Sequence, residues 1–373
     1  MTRRELLSLF AAAPVIGAPR NAPASPVSIA RCTTYDADLN ALMGGMFDQL
    51  GGLERIVRNK TVTVKLNLTG SPGLRFRGKA LGSTHYTHPK TAGAMVNLLD
   101  RAGARRIRFV ESCWATNAPL EEYLLDSGWN VRALSTAAKT VEFHNTNALG
   151  KYKKYARVKV PSGGAIYPAF DLNAAYVDTD VYMSMAKLKN HATCGVTLAM
   201  KNSFGITPAS IYGDDAGVNE PNENPGQGRG AVCHAGQRQP SKSALSEIDP
   251  KSSRHPGYRM PRIVADLALA RPIDIAFIDG VETLVGGEGP WIGGIGFVRP
   301  GLLIAGINGV TTDTVATAAM GYNPRAAKGI APFRDCDNTL LLAEALGVGS
   351  ADLKQIDVRG VPLAEAMFRF AGA

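Results

Sequence analysis

Several common signatures are missing from this chain of 373 residues. Its five cysteines, Cys32, Cys113, Cys194, Cys233 and Cys336, include no C-x-x-C pair. Zinc-ribbon and iron–sulfur ligand sets need clustered thiolates, so no iron–sulfur cysteine motif is present. No stretch approaches the roughly 20 apolar residues of a membrane-spanning helix. There is no Walker loop, dinucleotide fingerprint or nucleophile elbow, and the glycines of Gly286-Gly-Glu-Gly-Pro290 have the wrong spacing for either phosphate-binding motif. Basic and aromatic residues interleave at Lys151-Tyr-Lys-Lys-Tyr-Ala-Arg157. This reads as a solvated strand or hairpin, so no nucleic-acid partner is expected.

The apolar fraction of 45% is that of a globular protein, and the length suffices for a large core. The formal charge of +9 is spread along the chain and suits an anionic partner. At the N-terminus, Met1-Thr-Arg-Arg-Glu-Leu-Leu-Ser8 resembles a twin-arginine export signal. A short apolar run from Leu9 to Ala18 and the Ala22-Pro23-Ala24 cleavage pattern follow. Residues 1–24 are therefore read as a signal peptide handled by the twin-arginine export machinery, with a periplasmic or secreted product. The competing reading is an N-terminal amphipathic helix. Residues 25–373 are read as a single α/β domain.

The most informative stretch is Val181 to Gly205. It opens as a strand and ends as a helix. Lys187, Lys189 and His191 lie two apart at the changeover, and in extended backbone they share one face. Thr193 is placed to cap a helix starting at Cys194 or Gly195. On that helix Thr193, Thr197 and Lys201 form a polar column. Cationic groups beside a helix N-terminus point to an anion site, against the plainer reading of a strand-turn-helix with solvated lysines.

The same stretch resembles the signature of a large bacterial and archaeal family, domain of unknown function 362. The family pattern Lys-x-Lys-x-His appears as Lys187-Leu-Lys-Asn-His191. Its Thr-Leu-x-x-Lys-Asn-x-x-Gly helix appears as Thr197-Leu-Ala-Met-Lys-Asn-Ser-Phe-Gly205. The resemblance extends to Lys65-Leu-Asn67, to a Thr-x-Pro-like element at Thr87-His88-Pro89, to His255, and to Asp279-Gly-Val followed by Gly287-Glu-Gly-Pro290. It implies an α/β fold and this set of site residues, but no reaction.

Taken in order, Thr61–Leu68 and Ile107–Ser112 read as strands joined by a helix from Pro89 to Gly103, a βαβ unit with parallel strands. Glu111-Ser112 falls at a strand's carboxyl end, where open α/β sheets place ligand residues. Thr140–Asn145 and Arg157–Val160 read as an antiparallel addition. Residues 206–257 have few apolar residues and read as a lid or mobile insertion. Ile273–Gly280 and Leu302–Asn308 read as core strands, the second followed by a helix capped by Thr311 or Thr312.

The fold expected is α/β, a mainly parallel central sheet flanked by helices with a long Gly/Asn-rich insertion. The function expected is an exported enzyme acting on an anionic small molecule, a phosphate or carboxylate. Lys187, Lys189, His191 and Lys201 are the catalytic candidates. Lys65, Asn67, His88, Thr193, Asn202 and His255 are the substrate-binding candidates. Asp279, Glu282 and Glu288 would hold a divalent metal or balance the lysines. The alternative is a non-catalytic periplasmic cofactor-binding or redox-accessory protein.

Overall fold

The computed structural model describes residues 22–370. The signal reading of residues 1–24 thus falls almost wholly outside the described residues. Eight strands form the central sheet: β1 (Val27–Arg31), β2 (Thr61–Lys65), β3 (Arg106–Glu111), β4 (Val141–Asn145), β5 (Val181–Lys187), β6 (Ile275–Gly280), β7 (Leu302–Gly306) and β8 (Val358–Gly360). Their spatial order is β8-β1-β7-β6-β5-β2-β3-β4. Only β7 runs against its neighbours β1 and β6; the other pairings are parallel.

Every residue of β2, β5, β6 and β7 is buried. Both faces of the sheet are covered, so these strands read as continuous apolar or β-branched runs. Alternation still sorts the side chains. Ile275 and Phe277 join Val62, Val64 and Met183 in one core, with the helices α1 (Leu39–Gln49) and α2 (Pro89–Arg101). Ala276 and Ile278 join Tyr182 and Ile304 in the other, with α3 (Leu198–Ser203), α4 (Pro256–Ala270) and α5 (Gly309–Ala319).

The connectivity positions the site. The chain runs β2, β3, β4 outward on one side, then crosses back to lay β5 on the other side of β2. The order of strands therefore reverses between β2 and β5. Parallel sheets leave a crevice beyond the carboxyl ends at such a reversal, because the flanking connections diverge to opposite faces. Lys65 ends β2, Glu111 ends β3 and Lys187 ends β5, so all three emerge at this edge.

Several local expectations differ. Val141–Asn145 is a parallel edge strand beside β3, whereas Ala156–Lys159 pairs antiparallel with Ala169–Leu172 in a separate ribbon. The helix after β7 is capped by Asn308, whose side chain accepts from Val310 and Thr311 N–H, and not by Thr311 or Thr312. The 206–257 stretch contributes no strand, yet it is tied down. Asp214 accepts from the amides of Gly230, Ala231 and Val232. Glu247 sits between Arg254 and Arg259 at 2.6 Å from each. Polar and glycine-rich sequence is here held by carboxylate bonds to backbone and arginine, and by a few apolar anchors such as Ile211, Tyr212 and Val232 that join the core.

Candidate functional site

The changeover after β5 is not a direct strand-to-helix passage. Strand pairing ends at Lys187, and a tight hairpin pairs Asn190–His191 with Gly195–Val196. Gly195 has φ 73° and packs against Phe333, where a Cβ would fall 2.7 Å from that ring. The helix begins only at Leu198, itself at φ 46°, a left-handed conformation that a non-glycine residue adopts at a cost of about 1 kcal/mol or more. Thr193 therefore lies in the hairpin turn and does not cap the helix. Its amide donates to Nδ1 of His191 at 3.1 Å. The cap comes from elsewhere: the Asp313 carboxylate accepts from the Ala199 and Met200 amides, each at 2.8 Å. Thr197 and Lys201 still share one side of α3.

Because extended geometry stops at Lys187, the three groups expected on one face separate. Lys187 turns into the protein. Its ammonium donates to Asp279 (2.9 Å), to the Tyr35 hydroxyl (2.8 Å) and to the Gly82 carbonyl (2.6 Å). Lys189 and His191 line a cavity of about 410 Å³ at the β2/β5 reversal, together with Lys65, Asn67, Lys201, Asn202 and Glu288. The remaining candidates sit elsewhere. His88 caps α2 through Lys90 N–H and stacks on Tyr35 at 3.5 Å. His255 caps α4 through Gly257 N–H. Glu282 pairs with Arg299 at 2.9 Å. Asp279 accepts from Tyr35 and Val281 as well as Lys187. The three carboxylates proposed to share a metal are thus dispersed, and no group of three or more metal-ligating side chains is gathered among the described residues.

A count of N–H donors sorts the lysines. Lys65 is saturated: its three acceptors are Glu111 (2.6 Å), the Leu66 carbonyl (2.6 Å) and Asn202 (3.3 Å). Lys187 is saturated in the same way. Lys189 has two acceptors, the carbonyls of His85 (2.9 Å) and Glu288 (3.0 Å), and no carboxylate. Lys201 has no acceptor among the described residues; its ammonium rests 4.5 Å from the centre of the Phe204 ring. Arg229 also faces the cavity, spending two donors on the Thr207 carbonyl and Ser112 Oγ. The lining carboxylates offset these charges only in part: Glu288 acts on Lys189 and Lys201, and Glu111 on Arg229, without outweighing burial. Glu111 is occupied by Lys65 and the amides of Leu68 and Ser112. Glu288 accepts from the Ala192 amide.

The electrostatics follow from that imbalance. Burial, and then neighbouring cations, push Lys189 well below the usual lysine value. Burial also lowers Lys201 and Arg229. His191 is driven well below the ordinary histidine range by burial, then by Lys201, His234 and Lys189. His234, 5.8 Å from Phe204, is held at about 3 by burial and by Lys201, Arg229 and Arg259. Both imidazoles are therefore neutral at physiological pH. The Thr193 amide donates to His191 Nδ1, so the ring proton of His191 is on Nε2. Asn67 adds a buried Oδ1 with no hydrogen-bond partner among the described residues, in the wall of the same cavity.

Arg229 and His234 were not singled out as site residues from the sequence, nor were Trp114 and Trp291 at the rim. Arg229 lies in a glycine-rich run with no periodicity to place it. The available signal was indirect: a positive charge in an otherwise polar segment long enough to cover a sheet edge.

Over 187 residues, half of its length, the chain is 24% identical to a thylakoid-associated protein of Synechocystis, and it spans about half the length of that relative. The family model described as domain of unknown function (DUF362) matches residues 62–318, from β2 through α5. These limits enclose all the residues of the cavity described above, and the chain belongs to the DUF362 family.

Proposed function

We propose that this protein is an enzyme that binds a small anion, a phosphate or carboxylate, in the cavity at the β2/β5 reversal. The observation that carries the reading is the surplus of N–H donors. Among the described residues Lys201 has all three ammonium N–H groups uncommitted and Lys189 has one; both line the same cavity as the neutral His191 and His234. Lys189 is buried and Lys201 and Arg229 are half-buried; cations so placed with unused donors gain from an arriving anion, which also neutralises the site. A saturated pair such as Lys65–Glu111 has no such capacity and serves to shape the wall.

In this reading Lys201, Lys189 and Arg229 hold the anionic group and stabilise charge that develops on it. Fixed cations in a cavity shielded from water are effective for this because they need little reorganisation during reaction. His191, neutral and protonated at Nε2, serves as a proton donor. Delivery to the periplasm by the twin-arginine route belongs to the same proposal and rests on Arg3-Arg4 and the Ala22-Pro23-Ala24 pattern.

Calorimetric titration of the full chain with inorganic phosphate and small carboxylates tests the binding step. Saturable binding that is lost in Lys201→Met and Arg229→Met is the expected result. Heats that are the same in both variants as in the parent would place the anion elsewhere.

A further inference from the structure

The anion site has a second, chemically different half. Trp114 and Trp291 both line the cavity, and each is 42% exposed, whereas the third tryptophan, Trp129, is buried. The cationic side chains at the other end include Lys65 and Lys189, which are 1% and 0% exposed. The cavity therefore grades from charge in its depth to indole at its rim. Leu74, also 42% exposed, continues the apolar rim.

The Trp291 ring is seated against backbone where glycine leaves room for it, and Trp114 packs closely on Gly228. A Cβ on Gly70 would fall 2.4 Å from Trp291 Cζ3, and one on Gly289 would fall 2.2 Å from its Cη2. A Cβ on Gly228 would come within 3.3 Å of Trp114 Nε1. Gly70 follows β2, Gly228 lies in the 206–257 segment and Gly289 follows Glu288, so three separate segments leave room for the two rings. His85 supports Trp291 with an edge contact at 5.8 Å. Exposed indole surface is hydrated unfavourably, and a flat apolar group laid on it recovers that cost.

We infer that the ligand is an aromatic or similarly flat conjugated acid, with its carboxylate or phosphate on the lysines and its ring against Trp114 and Trp291. This inference rests on the anion reading and narrows it to a substrate class. A cavity of about 410 Å³ is within the range used for ligands of this size.

Matched probes on the full chain separate the two claims: phenyl phosphate against methyl phosphate, and benzoate against acetate, read by calorimetry and by tryptophan fluorescence. Two of the three tryptophans report from the rim, so ring binding quenches the signal. The expected result is that each ring-bearing probe binds about tenfold more tightly than its aliphatic partner. Trp114→Ala and Trp291→Ala should reduce that ratio while leaving methyl phosphate affinity in place. Equal affinity for both members of each pair would overturn the aromatic inference and leave the anion reading standing. A preference for rings that persists undiminished in the Trp114→Ala/Trp291→Ala double variant would also overturn it, since the ring would then lie elsewhere. If no probe binds to protein shown to be folded by circular dichroism, both claims fall.

Discussion

Replacing Lys187 by methionine tests the division between structural and ligand-facing lysines. Lys187 and Asp279 are 0% and 1% exposed, their charged atoms are 2.9 Å apart, and Tyr35 bonds to both. Burial lowers Lys187 from the ordinary lysine value, opposed by the Asp279 charge beside it. Removing the ammonium leaves the Asp279 carboxylate buried with only the Tyr35 hydroxyl and the Val281 amide as donors. Breaking one partner of a buried pair costs about 3–5 kcal/mol, because the other charge is stranded. Total stability is typically about 5–15 kcal/mol, so the variant should lose roughly a fifth of it or more. Urea unfolding followed by circular dichroism measures this as a fall in midpoint at unchanged slope. The double variant Lys187→Met/Asp279→Leu removes both charges and should recover at least about 2 kcal/mol of the loss. The reasoning is refuted if Lys187→Met is as stable as the parent but no longer binds anions. Lys187 would then belong to the ligand site.

Three further outcomes follow from the same geometry. Lys201→Met should abolish anion binding and raise stability modestly, by up to about 1 kcal/mol, since it removes a half-buried cation with no acceptor among the described residues; a destabilised variant would show that the lysine is already satisfied. The neutral histidines set an acid limit. His234 at about 3 and His85 at about 2 stay unprotonated in the fold, while the unfolded chain takes up those protons near pH 6.5. Their contribution is complete above pH 6.5 and falls with pH toward 3, by up to about 1.4 kcal/mol per unit for each histidine. Denaturation midpoints that stay flat until only carboxylates titrate would contradict this. Gly205→Ala would set a Cβ 2.8 Å from Lys65 Nζ and 3.2 Å from Glu111 Oε1. It should cost about 1–3 kcal/mol and weaken anion binding by displacing that pair, which thermal unfolding and titration would register.

Much of the fold was legible because period and residue type agree in the central strands. Thr61–Lys65 and Ile275–Gly280 are apolar or β-branched runs followed by polar groups at their ends, and each is a strand delivering those groups to one edge. The terminal glycine of the signature helix now has a physical reason: Gly205 clears the Lys65–Glu111 pair. What the alternation rule lost was the turn after Lys187. Lys187 keeps the strand's pleat and points inward, while the hairpin at Asn190–Val196 and the left-handed Leu198 redirect the chain beyond it; neither is visible in a two-residue period. The cap on α3 was illegible for a similar reason, since Asp313 lies 114 residues from the amide it accepts. His88 and His255 each precede a proline at a helix start, which fits capping as well as ligand binding; in the fold both cap.

The central claim is that one anion sits among Lys201, Lys189 and Arg229. Crystals of the full chain soaked in selenate test it directly, because selenium locates the anion by anomalous scattering. A single strong peak is expected in the cavity, within hydrogen-bonding distance of Lys201 Nζ and Arg229. A cavity without selenium, in crystals that show selenate bound at other lysines, would contradict it.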